Sequence, residues 1–149
     1  MADTRDRDLV QAVRAELAAI DPPRACCRAA ERAGLGQAAL GQARSPAVAR
    51  LAVRLADPDD GEGSPTDADW PEARSHCRAA WLRGRFLAAG SLSLGGRGAH
   101  LELVVPLAEA ATLRRRLDAL GFRGSSRVRR ERGVVTLKRT DTILAFLRY

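Results

Sequence analysis

One segment of the chain occurs twice, fifty residues apart. Residues 27–39 align without a gap with residues 77–89, and seven of the thirteen aligned pairs are identical, including a cysteine, an arginine and a glycine. Such a repeat predicts two copies of one helical unit. Small residues four positions apart share one face of a helix and leave no side chain to hold a partner helix at the usual distance. The chain carries such residues at Gly34, Ala38, Gly84 and Ala88. We therefore expect the two copies to pack backbone to backbone about a pseudo-two-fold axis.

The net charge of +7 is concentrated near the C-terminus. Residues 111–149 hold 11 basic and 3 acidic residues, a balance of +8, whereas residues 1–110 hold 14 and 15, a balance of −1. A localised basic region favours a polyanionic partner such as nucleic acid. Because 24 of the 25 basic residues are arginine, a biased genome composition is an alternative source of the charge.

Three features of the composition favour a cytoplasmic protein with no membrane partner. No apolar run reaches the roughly 18 residues that a membrane span needs. The N-terminus alternates acidic and basic residues and lacks the apolar core of a signal peptide. The three cysteines, two of them adjacent, form a poor disulfide framework and agree with a reducing compartment.

The first part of the chain, residues 1–56, is predicted to be mostly helical. Apolar residues at helical spacing predict one helix over residues 6–20 and a second from about residue 24 to about residue 40. Ser45 and Pro46 then match an N-cap and a first helical residue, which predicts a third, short helix.

An acidic segment separates this part from the second one, residues 70–149. Residues 57–69 carry six acidic residues and no basic one, and this composition predicts a solvated linker. From Pro71 onward the pattern predicts helix, hairpin, helix, hairpin, helix, so the fold class is α+β. The first of these helices is expected to end at Gly90 in a left-handed cap, and the second hairpin to turn at residues 131–133.

This order of elements resembles one half of a LAGLIDADG homing endonuclease. The sequence is closer to the N-terminal domain of the WhiA family, bacterial transcription regulators of sporulation and cell division that are catalytically dead relatives of those nucleases. The first motif of that family is matched by residues 26–31, the second by residues 77–91, and the strand that follows by residues 100–106. The resemblance implies a LAGLIDADG-like fold with a degenerate first half and an ancestry of nucleic-acid binding.

Two departures from the family pattern limit what is implied. The family has strands between its two motif helices, whereas this chain has a short helix and the acidic segment there. Full-length WhiA proteins also carry a C-terminal helix-turn-helix domain, and this chain ends at Tyr149 before one could begin. The resemblance therefore implies a DNA-binding domain of regulator type without that helix-turn-helix.

Nuclease chemistry is not expected. A LAGLIDADG nuclease holds divalent metal with one carboxylate near the C-terminal end of each motif helix, and the matching positions here are Ala39 and Ala89. Alanine has no lone pair to offer a metal ion. Glu31 lies about two turns earlier, and its repeat mate is Trp81 rather than an acid. A metal-dependent nuclease is therefore the least favoured of the functions considered.

The cysteines next to His76 allow two interpretations. His76 and Cys77, together with Cys26 and Cys27, could be drawn as a metal cluster. Cysteine is also a small residue that packs well between helices, and the chain has no Cys-x-x-Cys spacing. Packing is the favoured interpretation, and no metal and no cofactor are predicted.

The candidate DNA-binding residues come from the alternation of the predicted strands. Alternation sends leucines and valines toward the helices and polar residues, Glu102 among them, to the opposite face. In the homing endonucleases this face lies over the DNA major groove, and the resemblance implies the same use here. The residues that we expect to contact DNA are Ser91, Ser93, His100, Arg127, Arg129, Thr136 and Lys138. The alternative for this face is a solvent-exposed surface without a ligand. The alternative for the protein is a protein-interaction module, or a homodimer, built on the same fold.

Overall fold

The structure, a computed structural model, describes residues 4–43, 45–56 and 70–149. It consists of two compact units, one formed by residues 12–89 and the other by residues 90–149 together with the N-terminal residues up to Gln11. The predicted linker, residues 57–69, lies outside the described residues, so the division of the chain at that segment stays a prediction. The longest described helix has 16 residues, and none in the described ranges combines the length and apolar character of a membrane span.

The regular secondary structure in the described part of residues 12–89 is all helical. Ser45 caps a helix as predicted, since its Oγ accepts a hydrogen bond of 3.3 Å from the Val48 amide. The second predicted helix ends five residues early because Gly36 takes a φ of 55°, which leads into a 3-10 turn over Gly36–Leu40. The helices are α1 (Thr4–Ala19, which also enters the other unit), α2 (Ala25–Leu35), α3 (Pro46–Arg54) and α4 (Ser75–Ala89).

The two copies of the repeat, α2 and α4, cross with their backbones in contact. A Cβ atom added at Gly34 would overlap the carbonyl oxygen of Trp81, and one added at Gly84 would overlap the carbonyl oxygen of Glu31. Trp81 and Glu31 are themselves fifty residues apart, so the contact is reciprocal and follows the pseudo-two-fold relation of the sequence. Ala38 is buried in the apolar core of this unit, and Ala88 packs against that core.

The other unit is an antiparallel sheet with two helices. The sheet has the strand order β1-β2-β4-β3, and the sequence of elements from α4 onward is helix, hairpin, helix, hairpin, helix. The predicted α+β class and this order are confirmed. The elements are β1 (Gly90–Ser93), β2 (His100–Pro106), α5 (Leu107–Ala119), β3 (Ser125–Arg129), β4 (Arg132–Leu137) and α6 (Thr140–Arg148).

Two local predictions for this unit are wrong. Gly90 is not a left-handed helix cap, because α4 runs straight into β1 and Gly90 is already its first residue. The second hairpin turns at Arg130 and Glu131, with φ values of 49° and 61°, and not at residues 131–133. A two-residue turn with both residues in the left-handed region matches the twist of the paired strands. Arg132 therefore lies in β4 rather than in the turn.

One face of the sheet is covered by α5. A Cβ added at Gly133 of β4 would overlap the Ala110 side chain of α5, and Val105 of β2 lies beside the same point. The residues of β2 and β4 on this face are buried with apolar residues of α5 and α6. This core comprises Leu101, Leu103, Val105, Leu113, Leu117, Val135, Leu137, Ile143 and Phe146. The opposite face carries the residues considered for nucleic-acid binding.

Candidate nucleic-acid interface

Strand register defines which side chains share the face opposite α5. Residues directly opposite each other in paired antiparallel strands project from the same face. Glu102 is paired with Ser91 on one side and with Thr136 on the other, and Ser125 of β3 is paired with Thr136. Alternation along each strand then puts the predicted residues Ser91, Ser93, His100, Arg127, Arg129 and Thr136 on this face. Lys138, the only lysine of the chain, follows β4 directly and is exposed.

The exposed part of this face lies at its outer strands. Ser91 and Ser93 of β1 are exposed, as is every residue of β3. Val134 and Thr136 of the central strand β4 are buried, with Thr136 only 5% exposed. Thr136 is therefore a poor candidate for contact with a partner, because its neighbours Glu102 and Ser125 flank it on both sides.

Two arginines of β3 converge on one carboxylate. Arg127 Nη2 donates a hydrogen bond of 2.8 Å to Glu102 Oε1, and Arg129 Nη2 lies 3.7 Å from Glu102 Oε2. Both arginine side chains stay more than half exposed, whereas Glu102 is 23% exposed. Each guanidinium has five N–H donors, so one shared carboxylate leaves these cations able to bind phosphate.

A third arginine belongs to this group, and the sequence analysis missed it. Arg132 is paired with Arg129 across the hairpin, so the two side chains share the face. The turn predicted at residues 131–133 includes Arg132, so strand alternation did not assign this residue to the face. The length of the turn is the feature that would have assigned it correctly. A two-residue turn at residues 130–131 places Arg132 in the strand. We call the three residues Arg127, Arg129 and Arg132 the hairpin arginines.

The residues at the LAGLIDADG metal positions do not fit a divalent ion. Ala89 is the last residue of α4, and Ala39 lies in the 3-10 turn after α2, with its side chain outside the description. Glu31 is fully buried and bonded twice by Arg83, from Nε to Oε1 at 2.9 Å and from Nη2 to Oε2 at 2.7 Å. Burial of a carboxylate needs such a partner. Glu31 therefore neutralises Arg83 inside the helical unit.

Four other side chains with metal-binding atoms meet at the first turns of α2 and α4. The ligand atoms of Cys26, Cys27, His76 and Cys77 all lie within 4.8 Å of one another. His76 Nδ1 is 3.1 Å from Cys27 Sγ and 3.3 Å from Cys77 Sγ. Cys27 and Cys77 are buried, and the other two are half-buried. The sequence allowed this cluster to be drawn but favoured packing, and the contact of α2 with α4 brings the two pairs together.

Burial controls the protonation of this cluster. It raises the pKa of the Cys77 thiol to about 12, with a hydrogen bond to the Cys26 thiol adding to the shift. Burial also raises the pKa of Cys27 and lowers the pKa of His76, whose pKa the nearby Arg24 lowers further. Burial therefore favours the uncharged forms of these two thiols and of the imidazole.

Comparisons with known proteins agree with this fold. The family model described as the WhiA LAGLIDADG-like domain matches residues 78–149. The "Probable cell division protein WhiA" of Symbiobacterium thermophilum is 41% identical over 113 residues, which cover 68% of this chain and 33% of that protein. The chain thus spans about a third of the length of this curated relative. The crystal structure of the N-terminal LAGLIDADG domain of DUF199/WhiA superposes with a TM-score of 0.72 at 18% identity, covering 99% of this chain and 92% of that one.

The family match covers the second motif and the strand that follows it, as quoted from the sequence, whereas the first motif, residues 26–31, precedes it. The family match begins one residue after Cys77 and extends over the two hairpins and the last helix. The chain is therefore a WhiA-related protein whose residues 78–149 form a WhiA LAGLIDADG-like domain.

Proposed function

We propose that this protein is a non-catalytic domain that binds DNA through the sheet face opposite α5, chiefly through the hairpin arginines. The observation that carries the proposal is their exposure on one face of a sheet whose other face is covered by a helix. Arginine binds phosphate or guanine edges with two parallel hydrogen bonds, and Ser91 and Ser93, on the other edge strand of the same face, can add neutral contacts. The excess positive charge of residues 111–149 supports the same reading.

The absence of catalysis is part of the proposal. Phosphodiester cleavage on this fold needs a metal ion held by a carboxylate from each motif helix. Alanine stands at both matching positions, and Glu31 is already engaged by Arg83. The proposed function of the domain is therefore DNA binding without catalysis. The name of the Symbiobacterium relative points to cell division as the process, and a regulator of transcription acting at the nucleoid in the cytoplasm fits that role.

Binding by this face should be weak and sensitive to salt. The hairpin arginines and Lys138 supply four cations, so the slope of log K against log salt should be at most about −3.6 on duplex DNA. A change from 50 to 200 mM salt should then weaken binding by up to about 150-fold. Fluorescence anisotropy with a labelled duplex measures both quantities.

The decisive variant is Arg127→Ala combined with Arg129→Ala. We expect it to weaken binding and to reduce the salt slope by about 2, because two phosphate contacts are lost. Arg114→Ala with Arg115→Ala is the matched control, since it removes the same charge from α5 on the other side of the sheet. Equal loss in both variants, or no binding at 50 mM salt, would exclude the hairpin arginines as the DNA contact.

A protein-interaction module is the second candidate, and one observation favours it. Strand β3 is one of the two edge strands of the sheet, pairs only with β4 among the described strands, and is exposed along its whole length. An exposed edge strand can add a strand from a partner or from a second copy of the chain. Association that survives nuclease treatment, with sedimentation to separate a homodimer from a complex, would favour this function over DNA binding.

A further inference from the structure

The cysteine and histidine cluster is built by the same symmetry as the helix contact. Cys26 and Cys27 are the second and third residues of α2, and His76 and Cys77 are the second and third residues of α4. The fifty-residue relation maps the first pair onto the second. The cluster therefore holds two ligand pairs from equivalent first turns of the two helices, in contact around the pseudo-two-fold axis.

The separations are close to those of a tetrahedral zinc site. With Zn–S bonds of about 2.3 Å and Zn–N bonds of about 2.1 Å, tetrahedral ligand atoms lie roughly 3.6–3.8 Å apart. The sulfur-to-nitrogen distances here are 3.1 and 3.3 Å, and no pair of ligand atoms exceeds 4.8 Å. Shifts of about 1 Å or less, within reach of small changes in the side-chain torsions, would bring all four atoms to one ion.

Packing alone accounts poorly for this arrangement. A cysteine can fill a small gap between helices, but an imidazole with its Nδ1 between two sulfur atoms is a polar group that needs a polar partner. The polar partner that suits three thiols and an imidazole is a metal ion, which deprotonates the thiols that coordinate it.

We propose that one Zn²⁺ ion is bound by Cys26, Cys27, His76 and Cys77. Three thiolates and one imidazole match the preference of zinc for sulfur and nitrogen in tetrahedral geometry. Four protein ligands leave no open position, so the site is structural. It ties the first turns of the two motif helices together, about two turns before the backbone contact at Gly34 and Gly84.

The first test uses the wild-type chain and needs no variant. All three cysteines of the protein belong to the cluster, so a thiol reagent reads the site directly. We expect one zinc ion per chain after expression with added zinc, and thiols that react slowly until a strong chelator removes the metal. Thiols that react equally fast with and without zinc would overturn the proposal. So would iron in place of zinc, or a disulfide between Cys27 and Cys77 in the freshly isolated protein.

The second test uses variants and Co²⁺ as a spectroscopic probe. Intense visible bands from tetrahedral cobalt bound by thiolates are expected for the wild type. We expect Cys27→Ser and Cys77→Ser to lower metal affinity at least about 10-fold, and His76→Cys to keep one ion with a spectrum shifted toward four sulfur ligands. His100→Ala, which changes the only other histidine, is the control and should leave the spectrum and stoichiometry unchanged. Equal cobalt spectra in the wild type and in both serine variants would contradict the assignment of Cys27 and Cys77 as metal ligands.

Discussion

Gly34→Ala tests the helix contact on which the helical unit depends. In an isolated helix this change would stabilise by about 1 kcal/mol, because glycine is a poor helix former. In the protein the new methyl group would overlap the Trp81 carbonyl oxygen and lie 3.0 Å from the Arg85 amide nitrogen. Both atoms belong to the backbone of α4, so no side chain can move aside. The two helices must separate instead.

The expected cost exceeds the gain in propensity. Overpacking of a filled interior costs about 1–3 kcal/mol and sometimes more, and separation would also open the reciprocal contact of Gly84 with Glu31. We expect a net loss of about 2–3 kcal/mol, which lowers Tm by about 4–12 °C for a chain of this size.

Urea unfolding followed by far-ultraviolet circular dichroism measures the free energy of unfolding directly. Gly84→Ala should match Gly34→Ala because the two contacts are equivalent by the pseudo-two-fold relation. Gly95→Ala, where an added Cβ meets nothing within 4 Å, should stay within about 0.5 kcal/mol of the wild type. A Gly34→Ala protein as stable as the wild type, or more stable, would show that the helices do not need glycine at their crossing.

Three further changes probe the charged groups. Glu102→Gln should strengthen DNA binding about 5-fold at low salt in anisotropy titrations. The reason is that two exposed ion pairs of about 0.5 kcal/mol each would no longer compete with phosphate for the arginines. Weaker binding would instead mean that Glu102 orients the arginines. Arg83→Ala should destabilise the protein by about 3–5 kcal/mol in urea unfolding, because it leaves the fully buried Glu31 without its charge partner, and an effect below 1 kcal/mol would contradict that reading. The hydrogen bond from Arg139 lowers the pKa of Asp141 to about 2, below its unfolded value. The Asp141 carboxylate therefore contributes to stability above about pH 4, and this contribution is lost as the pH falls through about 2. Asp141→Asn should flatten the dependence of stability on pH in that window, and an unchanged profile would count against the ion pair.

Local patterns were sufficient for most of the architecture. Apolar spacing and turn residues predicted the order of elements from α4 to the C-terminus, and alternation in the strands separated the leucines and valines of the covered face from the serines and arginines of the other. These patterns succeed because a helix and a strand each expose one set of side chains with a fixed period. Loop details were less predictable, since Arg130 and Glu131 adopt left-handed conformations that only the pairing of β3 with β4 imposes.

The sequence by itself determined the pair of equivalent helices, because a repeat with glycine at matching positions encodes a close contact whatever surrounds it. Only the tertiary structure decided what that contact brings together. Glu31 meets Arg83, and two cysteines on α2 meet His76 and Cys77 on α4, across more than forty residues of chain. The fifty-residue repeat does not fix these distances, because they depend on how the two helices cross and not on the local conformation of either.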